Sequence, residues 1–118
     1  MAGRLTTHVL DTARGVPGAG IAVTLNRLDG AARHTVARTT TNANGRTDAP
    51  LLEGAQFAPG RYELTFETAA YFRAHGVALA DPPFLDEIVI RFAIADAQAH
   101  YHVPLLVSPW SYATYRGS

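Results

Sequence analysis

Arg61-Tyr62-Glu63-Leu64-Thr65-Phe66-Glu67 is the run on which the fold reading turns. Tyr62, Leu64 and Phe66 alternate with charged and polar residues, the period-2 pattern of a strand with one buried face. Directly after it, Thr68 is placed to cap a short helix over residues 69–75, with Gly76 as the stop. A helix of only about two turns cannot hold itself together in water, so it must be packed against something.

The same alternation recurs on both sides. In residues 4–10, Leu5, Thr7 and Val9 share one face, and Arg4, Thr6, His8 and Leu10 share the other. The run 11–20 holds Gly15, Pro17, Gly18 and Gly20 and reads as turns. In residues 21–28, Ile21, Val23 and Leu25 alternate with Ala22, Thr24 and Asn26. Asp29-Gly30 is a hairpin signal leading into a partner strand over residues 33–41. Asn44-Gly45 is a second turn that suits positive φ, and it sets Arg46 at a turn mouth. Residues 49–60 read as irregular, and Asp81-Pro82-Pro83 as an end to regular structure. Ile88, Ile90, Phe92 and Ile94 line one face of a strand over residues 88–94. A closing hairpin around Ser108-Pro109 spans residues 99–116, with Pro104 inside a strand. That proline requires an edge, or a place where its missing N–H faces no partner. The sum is an all-β chain of seven or eight short strands and one small helix, read as a sandwich of two antiparallel sheets.

The 118 residues suit one domain with a single core. Formal net charge is zero, which argues against nucleic acid as a partner. No run approaches the ~20 apolar residues of a membrane span. The N-terminal residues lack a basic region followed by an apolar core, so no signal peptide is expected. The absence of cysteine excludes disulfides and thiolate metal ligands, and fits a cytoplasmic location. All ten basic residues are arginine. Biased composition explains most of them; a few could bind planar acceptors, which lysine does less well.

Four features could carry chemistry. His100 and His102 lie two apart on a strand and so share a face, with His8 on a strand elsewhere. Such a pair can hold a metal, but there is no His-Glu-x-x-His helix, and no metal site is expected. Arg46 follows a tight turn; most such arginines are simply solvated. Ser108, Ser111 and Ser118 lack a Gly-x-Ser-x-Gly elbow, and Ser108 before Pro109 reads as a turn residue. Arg116 could pair with a carboxylate or protect an exposed edge strand.

Five stretches taken together resemble one family. They are Leu5-Thr6-Thr7-His8-Val9-Leu10-Asp11, Gly15-Val16-Pro17, Asn44-Gly45-Arg46-Thr47-Asp48, the run from Tyr101 to Pro109 (Tyr-His-Val-Pro-Leu-Leu-Val-Ser-Pro), and Tyr115-Arg116-Gly117-Ser118. They resemble the 5-hydroxyisourate hydrolases, the transthyretin-related enzymes of purine breakdown. The likeness runs from Leu5 to Ser118, and its most specific piece is the tetrapeptide at the chain end. Gly18 stands where the family more often has alanine; in a turn this is expected to matter little.

The resemblance implies a single transthyretin-like domain over residues 1–118, a sandwich of two four-stranded sheets with a short helix after the fifth strand. It implies a homotetramer, a dimer of dimers with sites between dimers. It also implies a reaction. Water attacks the C6 carbonyl of 5-hydroxyisourate, the N1–C6 bond breaks, and 2-oxo-4-hydroxy-4-carboxy-5-ureidoimidazoline forms. The matching positions are His8, Arg46 and His102 as catalytic residues, with His8, Arg46, Tyr115, Arg116 and Ser118 binding substrate. Amide hydrolysis needs a base for water, stabilisation of the carbonyl oxygen and a proton for the leaving nitrogen. Neutral histidine suits the first and third tasks; whether His8 or His102 activates the water stays open. Arg46 supplies a planar cation. No metal or organic cofactor is then required. The alternative is a hormone carrier like transthyretin, sharing the fold without the chemistry. The carrier has lysine at the His8 position and lacks the Tyr-Arg-Gly-Ser end.

Overall fold

The computed structural model describes residues 2–118; Met1, the first residue of the expected domain, lies outside the described residues. The elements in order are β1 (Arg4–Asp11), β2 (Val16–Pro17), β3 (Ala22–Asp29), β4 (Ala32–Thr40), β5 (Leu52–Glu53), a 3-10 turn (Gly54–Gln56), β6 (Gly60–Phe66), α1 (Thr68–Ala74), β7 (Ile88–Ile94), β8 (His100–Val107) and β9 (Tyr112–Thr114). They form two sheets. One has the order β2-β1-β8-β9, with β5 also on β1; the other has the order β4-β3-β6-β7.

The inner faces follow the alternation. Leu5, Val9, Leu25, Leu64, Phe66, Ile88 and Leu105 have no exposed surface, and Tyr62, Phe72 and Val23 almost none. Strands that present one apolar face can bury it only against another sheet, which is why the chain makes a sandwich.

Three expectations need correction. The sheets are not both four-stranded: the first contains five strands. Its two extra pieces, β2 and β5, are two residues each and pair with opposite ends of the same β1 edge, at Leu10–Asp11 and Arg4–Leu5. The sheet is thus never more than four strands wide at one level, and α1 follows the sixth strand rather than the fifth. These pairings come from turn-rich segments with no alternation to betray them. Nor is the first sheet antiparallel throughout: β1 and β8 run parallel over eight paired positions. Parallel pairing joins strands far apart in sequence, and no local signal encodes it.

The third correction is the helix cap. The N-cap residue is Glu67, and no side chain caps the helix. The Glu67 N–H still donates to the Ala22 carbonyl, and the Ala69 N–H finds the Asp86 carbonyl, each at 3.0 Å. Thr68 is the first residue inside the helix rather than its cap, and it is itself buried. Gly76 does end the helix, at φ +79°.

Gly18 is more constrained than its turn suggested. A methyl there would stand 2.6 Å from Val9 Cγ1 and 2.9 Å from Ile21 Cδ1. Pro104, by contrast, meets the second of its two conditions. It lies in an interior strand, opposite His8. The His102 carbonyl accepts from Gly117 N–H and the Pro104 carbonyl from the Thr114 hydroxyl, so both residues turn their backbone groups toward β9. There β9 ends at Thr114, and pairing resumes only at the His102–Gly117 bridge. The missing donor falls in that gap.

Candidate active site

The outer face of β1 carries Thr6 and His8, because Leu5, Thr7 and Val9 point inward. The parallel register sets Arg4 beside His100, Thr6 beside His102 and His8 beside Pro104. Two histidines of β8 thus stand against β1 on the outer face of the sheet.

Arg46 is brought there by the loop 42–48. The Asn42 side-chain oxygen accepts the N–H groups of Asn44 (2.9 Å) and Arg46 (3.2 Å), and the Asn42 N–H donates to the Arg46 carbonyl at 2.7 Å. The Gly45 carbonyl takes the Val9 N–H at 2.8 Å, and Arg46 bridges to the His8 backbone. Gly45 has φ +75°, and any Cβ on it would collide with the Val9 carbonyl. Only glycine lets this turn lie against β1.

The last residues reach the same place over His102. The Gly117 N–H donates to the His102 carbonyl at 2.7 Å, and a Cβ on Gly117 would sit 2.6 Å from the His102 ring carbon Cδ2. Glycine is needed here for close approach rather than for φ. It places Ser118 in a cleft of ≈ 350 Å³ whose other walls include Thr6, Arg46, Asp48, His100 and His102. That is at the small end of ligand pockets, which run from about 300 to 1,000 Å³. His8 is not among the residues lining the cleft. It stands two residues along β1 from Thr6, tied to Arg46 by the backbone bridge.

The structure therefore gathers His8, Arg46, His102, His100 and Ser118 on one sheet face. It does not bring Tyr115 and Arg116 into the cleft of this chain. The Arg116 guanidinium lies 4.1 Å from the centre of the Tyr101 ring, and both residues line a separate concavity with Ile90, Phe92 and Val103. Tyr115 is 61% exposed.

Sequence reasoning passed over Thr6. Its Oγ1 lies 2.7 Å from His102 Nδ1 and 2.8 Å from His100 Nε2. Its sharing of a face with His8 was visible in the alternation; its position between two histidines depends on the parallel register.

Burial lowers the pKa of His8 below its ordinary value; the positive Arg46 lowers it further, and a hydrogen bond at the Asn44 backbone acts against both. Burial likewise lowers His102, followed by Arg46, His100 and His8, with Thr6 opposing. Both shifts favour the neutral ring, the form a base for water requires. Among the described residues, no three or more His, Asp or Glu side chains are grouped to hold a metal. One nitrogen each of His100 and His102 is engaged by Thr6. Ser108 is a turn residue: its Oγ accepts the N–H groups of Trp110 (3.2 Å) and Ser111 (3.1 Å).

A two-sheet sandwich with a parallel β1–β8 pair, and a histidine–arginine cleft on the outer face of that pair, defines a transthyretin-like protein with a polar site on its sheet surface. Residues 5–117 match the model of the HIUase/Transthyretin family. The chain belongs to that family. A 5-hydroxyisourate hydrolase 2 of Rhizobium meliloti (strain 1021) is 60% identical over 116 residues, covering 98% of this chain and 97% of the relative. The solved 5-hydroxyisourate hydrolase of Klebsiella pneumoniae superposes with a TM-score of 0.81 at 38% identity, covering 98% of this chain and 99% of that one. Sea bream transthyretin in complex with thyroxine superposes at 0.87 with 28% identity, covering 97% and 94%.

Proposed function

We propose that this chain is a 5-hydroxyisourate hydrolase, which opens the substrate ring by adding water across the N1–C6 amide. The observation that carries the reading is the convergence of His8, Arg46 and His102 on one face, through the β1–β8 register and the Arg46–His8 bridge. The relatives of that name, at 57–60% identity over 98% of the chain, support the same activity.

In this proposal a neutral histidine takes the proton of the attacking water. His102 is the better placed, since it lines the cleft and its Nδ1 is held by Thr6, which leaves Nε2 for a bound molecule. His8 and Arg46 act together, with the guanidinium facing the carbonyl oxygen as negative charge develops there. Ser118 forms part of the rim. Tyr115 and Arg116 contribute by holding the terminal segment, Arg116 through its stacking on Tyr101. The chemistry assigned to these side chains calls for no metal or organic cofactor.

The chain acts, in the same proposal, as a cytoplasmic homotetramer, a dimer of dimers. Its support is the family, together with half-buried apolar residues on the outer face of the first sheet beside the site: Leu10 and Leu106. The edge strands β7 and β9 each have one unpaired side in the single chain. The carrier reading has less behind it, resting on a 28% identical relative and on no ligand-sized apolar site at the cleft.

Stopped-flow absorbance of freshly made 5-hydroxyisourate tests the activity. The substrate decays spontaneously, so the expected result is a decay rate that rises in proportion to protein concentration. A rate independent of protein would overturn the proposal.

A further inference from the structure

The Thr6 hydroxyl stands within hydrogen-bond distance of two imidazole nitrogens, 2.7 Å from His102 Nδ1 and 2.8 Å from His100 Nε2. A hydroxyl has one proton to give and lone pairs to accept with. It cannot donate to both rings. When both are neutral, either both rings donate to Thr6, or one donates while the other accepts; the second arrangement joins the two rings in one continuous hydrogen-bonded chain. The rings also differ in setting. His102 is half-buried and lines the cleft, whereas His100 is exposed.

From this arrangement we propose that Thr6 is a proton relay, passing protons between His102 in the cleft and the exposed His100. The proposal rests on the hydrolase reading for its substrate. Opening a cyclic amide with water yields a carboxylic acid, which is ionised at neutral pH. The leaving nitrogen ends as a urea nitrogen, which is not basic, so the net proton of each turnover leaves from the product acid; what the relay carries is the second proton that His102 would otherwise hold beside Arg46 once the water has been deprotonated.

The path balances. At the start His102 Nδ1–H donates to Thr6 Oγ1, Thr6 donates to His100 Nε2, His100 carries its own proton on Nδ1, and His102 Nε2 is a free base. Nε2 takes a proton from the attacking water. The Nδ1–H bond of His102 then breaks as that proton moves to Thr6 Oγ1, and the hydroxyl proton moves to His100 Nε2. His100, now doubly protonated, releases its Nδ1 proton to solvent. His102 is left as the Nε2–H tautomer, ready to protonate the leaving nitrogen. As it does so, the hydroxyl proton of Thr6 moves to His102 Nδ1, the His100 Nε2 proton moves to Thr6 Oγ1, and His100 Nδ1 takes a proton from solvent, which restores the first arrangement with one proton out and one back. The other charged or titratable groups around this chain are Arg4 and His8 from β1 and Arg46 and Asp48 from the loop 42–48, with Arg116 beyond Gly117.

Thr6 and His100 act through His102 and are positioning residues, so the test must separate relay from packing. Thr6→Val keeps the shape and removes the hydroxyl; Thr6→Ser keeps the hydroxyl. We expect Thr6→Val to lower kcat by about tenfold or more with little change in KM, since positioned proton transfer contributes on the order of 10²–10⁴. Thr6→Ser should stay near wild type. His100→Gln should be slow in dilute buffer and recover as imidazole is added as an external proton acceptor, while wild type stays flat. Wild-type kcat in Thr6→Val would overturn the relay, as would equal loss in Thr6→Val and Thr6→Ser, or a His100→Gln rate that ignores imidazole. Nitrogen-15 spectra of the histidine rings read the relay without turnover: Thr6→Val should redistribute the tautomers of His102, and an unchanged His102 signal would overturn it. If wild type fails to accelerate 5-hydroxyisourate decay, the hydrolase reading falls by itself, and the nitrogen-15 result still decides for or against the relay.

Discussion

His102 is the residue on which the site closes. Its Nδ1 meets Thr6, its carbonyl takes the Gly117 N–H, and its ring leaves no room for a Cβ at residue 117. Replacing it with alanine should cut kcat/KM for 5-hydroxyisourate by roughly 10²–10⁴ while leaving thermal unfolding nearly unchanged. Stopped-flow decay and circular dichroism check this, and normal turnover would remove His102 from the mechanism. Arg46→Lys keeps the charge but loses the planar fork, and it should also be severely impaired; near-normal activity would mean that charge alone matters there. The pH dependence has a defined sign. Burial and Arg46 hold His8 and His102 below their ordinary pKa. In the proposed mechanism the base is the neutral ring of His102, so the acid limb of kcat/KM should lie below about 6.5, the ordinary histidine value. The native state binds fewer protons at these rings than the unfolded chain, so they also cost stability as pH falls below that value.

Among the elements, the site depends on two segments that are not regular structure. The turn 42–48 approaches β1 only because residue 45 has no Cβ, and the terminal segment approaches β8 only because residue 117 has none. Gly117→Ala should displace Ser118 from the cleft and depress activity far more than stability; a variant with full activity would show that the segment relaxes at no cost. The end of β1 is fixed differently. Asp11 is fully buried and accepts from the backbone of Ala13 and Arg14, from Arg14 Nε at 3.0 Å and from the Tyr71 hydroxyl at 2.8 Å. It thereby ties β1 to α1. Burial alone would raise its pKa, but the hydrogen bonds from Tyr71 and Arg14 outweigh that and lower it. This contribution to stability is present above the ordinary aspartate pKa and is lost as pH falls through the lowered one. Asp11→Ala should destabilise the fold by about 2–3 kcal/mol at pH 7, from the loss of hydrogen bonds to a buried charge. Urea unfolding measures it, and a change within error would reduce Asp11 to a surface-like role.

At the scale of the whole molecule, the cleft is built on the outer face of a sheet rather than inside the sandwich, so its far wall must come from outside this chain or from solvent. The proposed tetramer would give a physical reason for the half-buried apolar Leu10 and Leu106 to lie on that face. Sedimentation should give a mass four times that of the chain, and a monomer at micromolar concentration would contradict it. Dialysis against a chelator should leave turnover unchanged, since the site's chemistry rests on histidine and arginine; a loss restored by zinc would point to a metal at the histidines.

Much of this was legible in the residues. Alternation placed β1, β3, β6 and β7 to within a residue or two, because burial of one sheet face imposes period 2 on the sequence itself, and the Asp29-Gly30 hairpin signal placed β4 as closely. The Asn44-Gly45 and Asp29-Gly30 turns could be read because positive φ demands glycine locally. The motif residues His8, Arg46 and His102 could be named, but not placed. The short strands β2 and β5 carried no period to detect, and the helix start was capped by backbone groups from elsewhere. Above all, the parallel pairing of β1 with β8 joins residues 96 positions apart, and only packing of the folded chain fixes that register. Sequence determined which side chains face outward on each strand. Tertiary structure decided which outward faces are neighbours, and so set Thr6 between His100 and His102 and separated Ser118 from Tyr115 and Arg116.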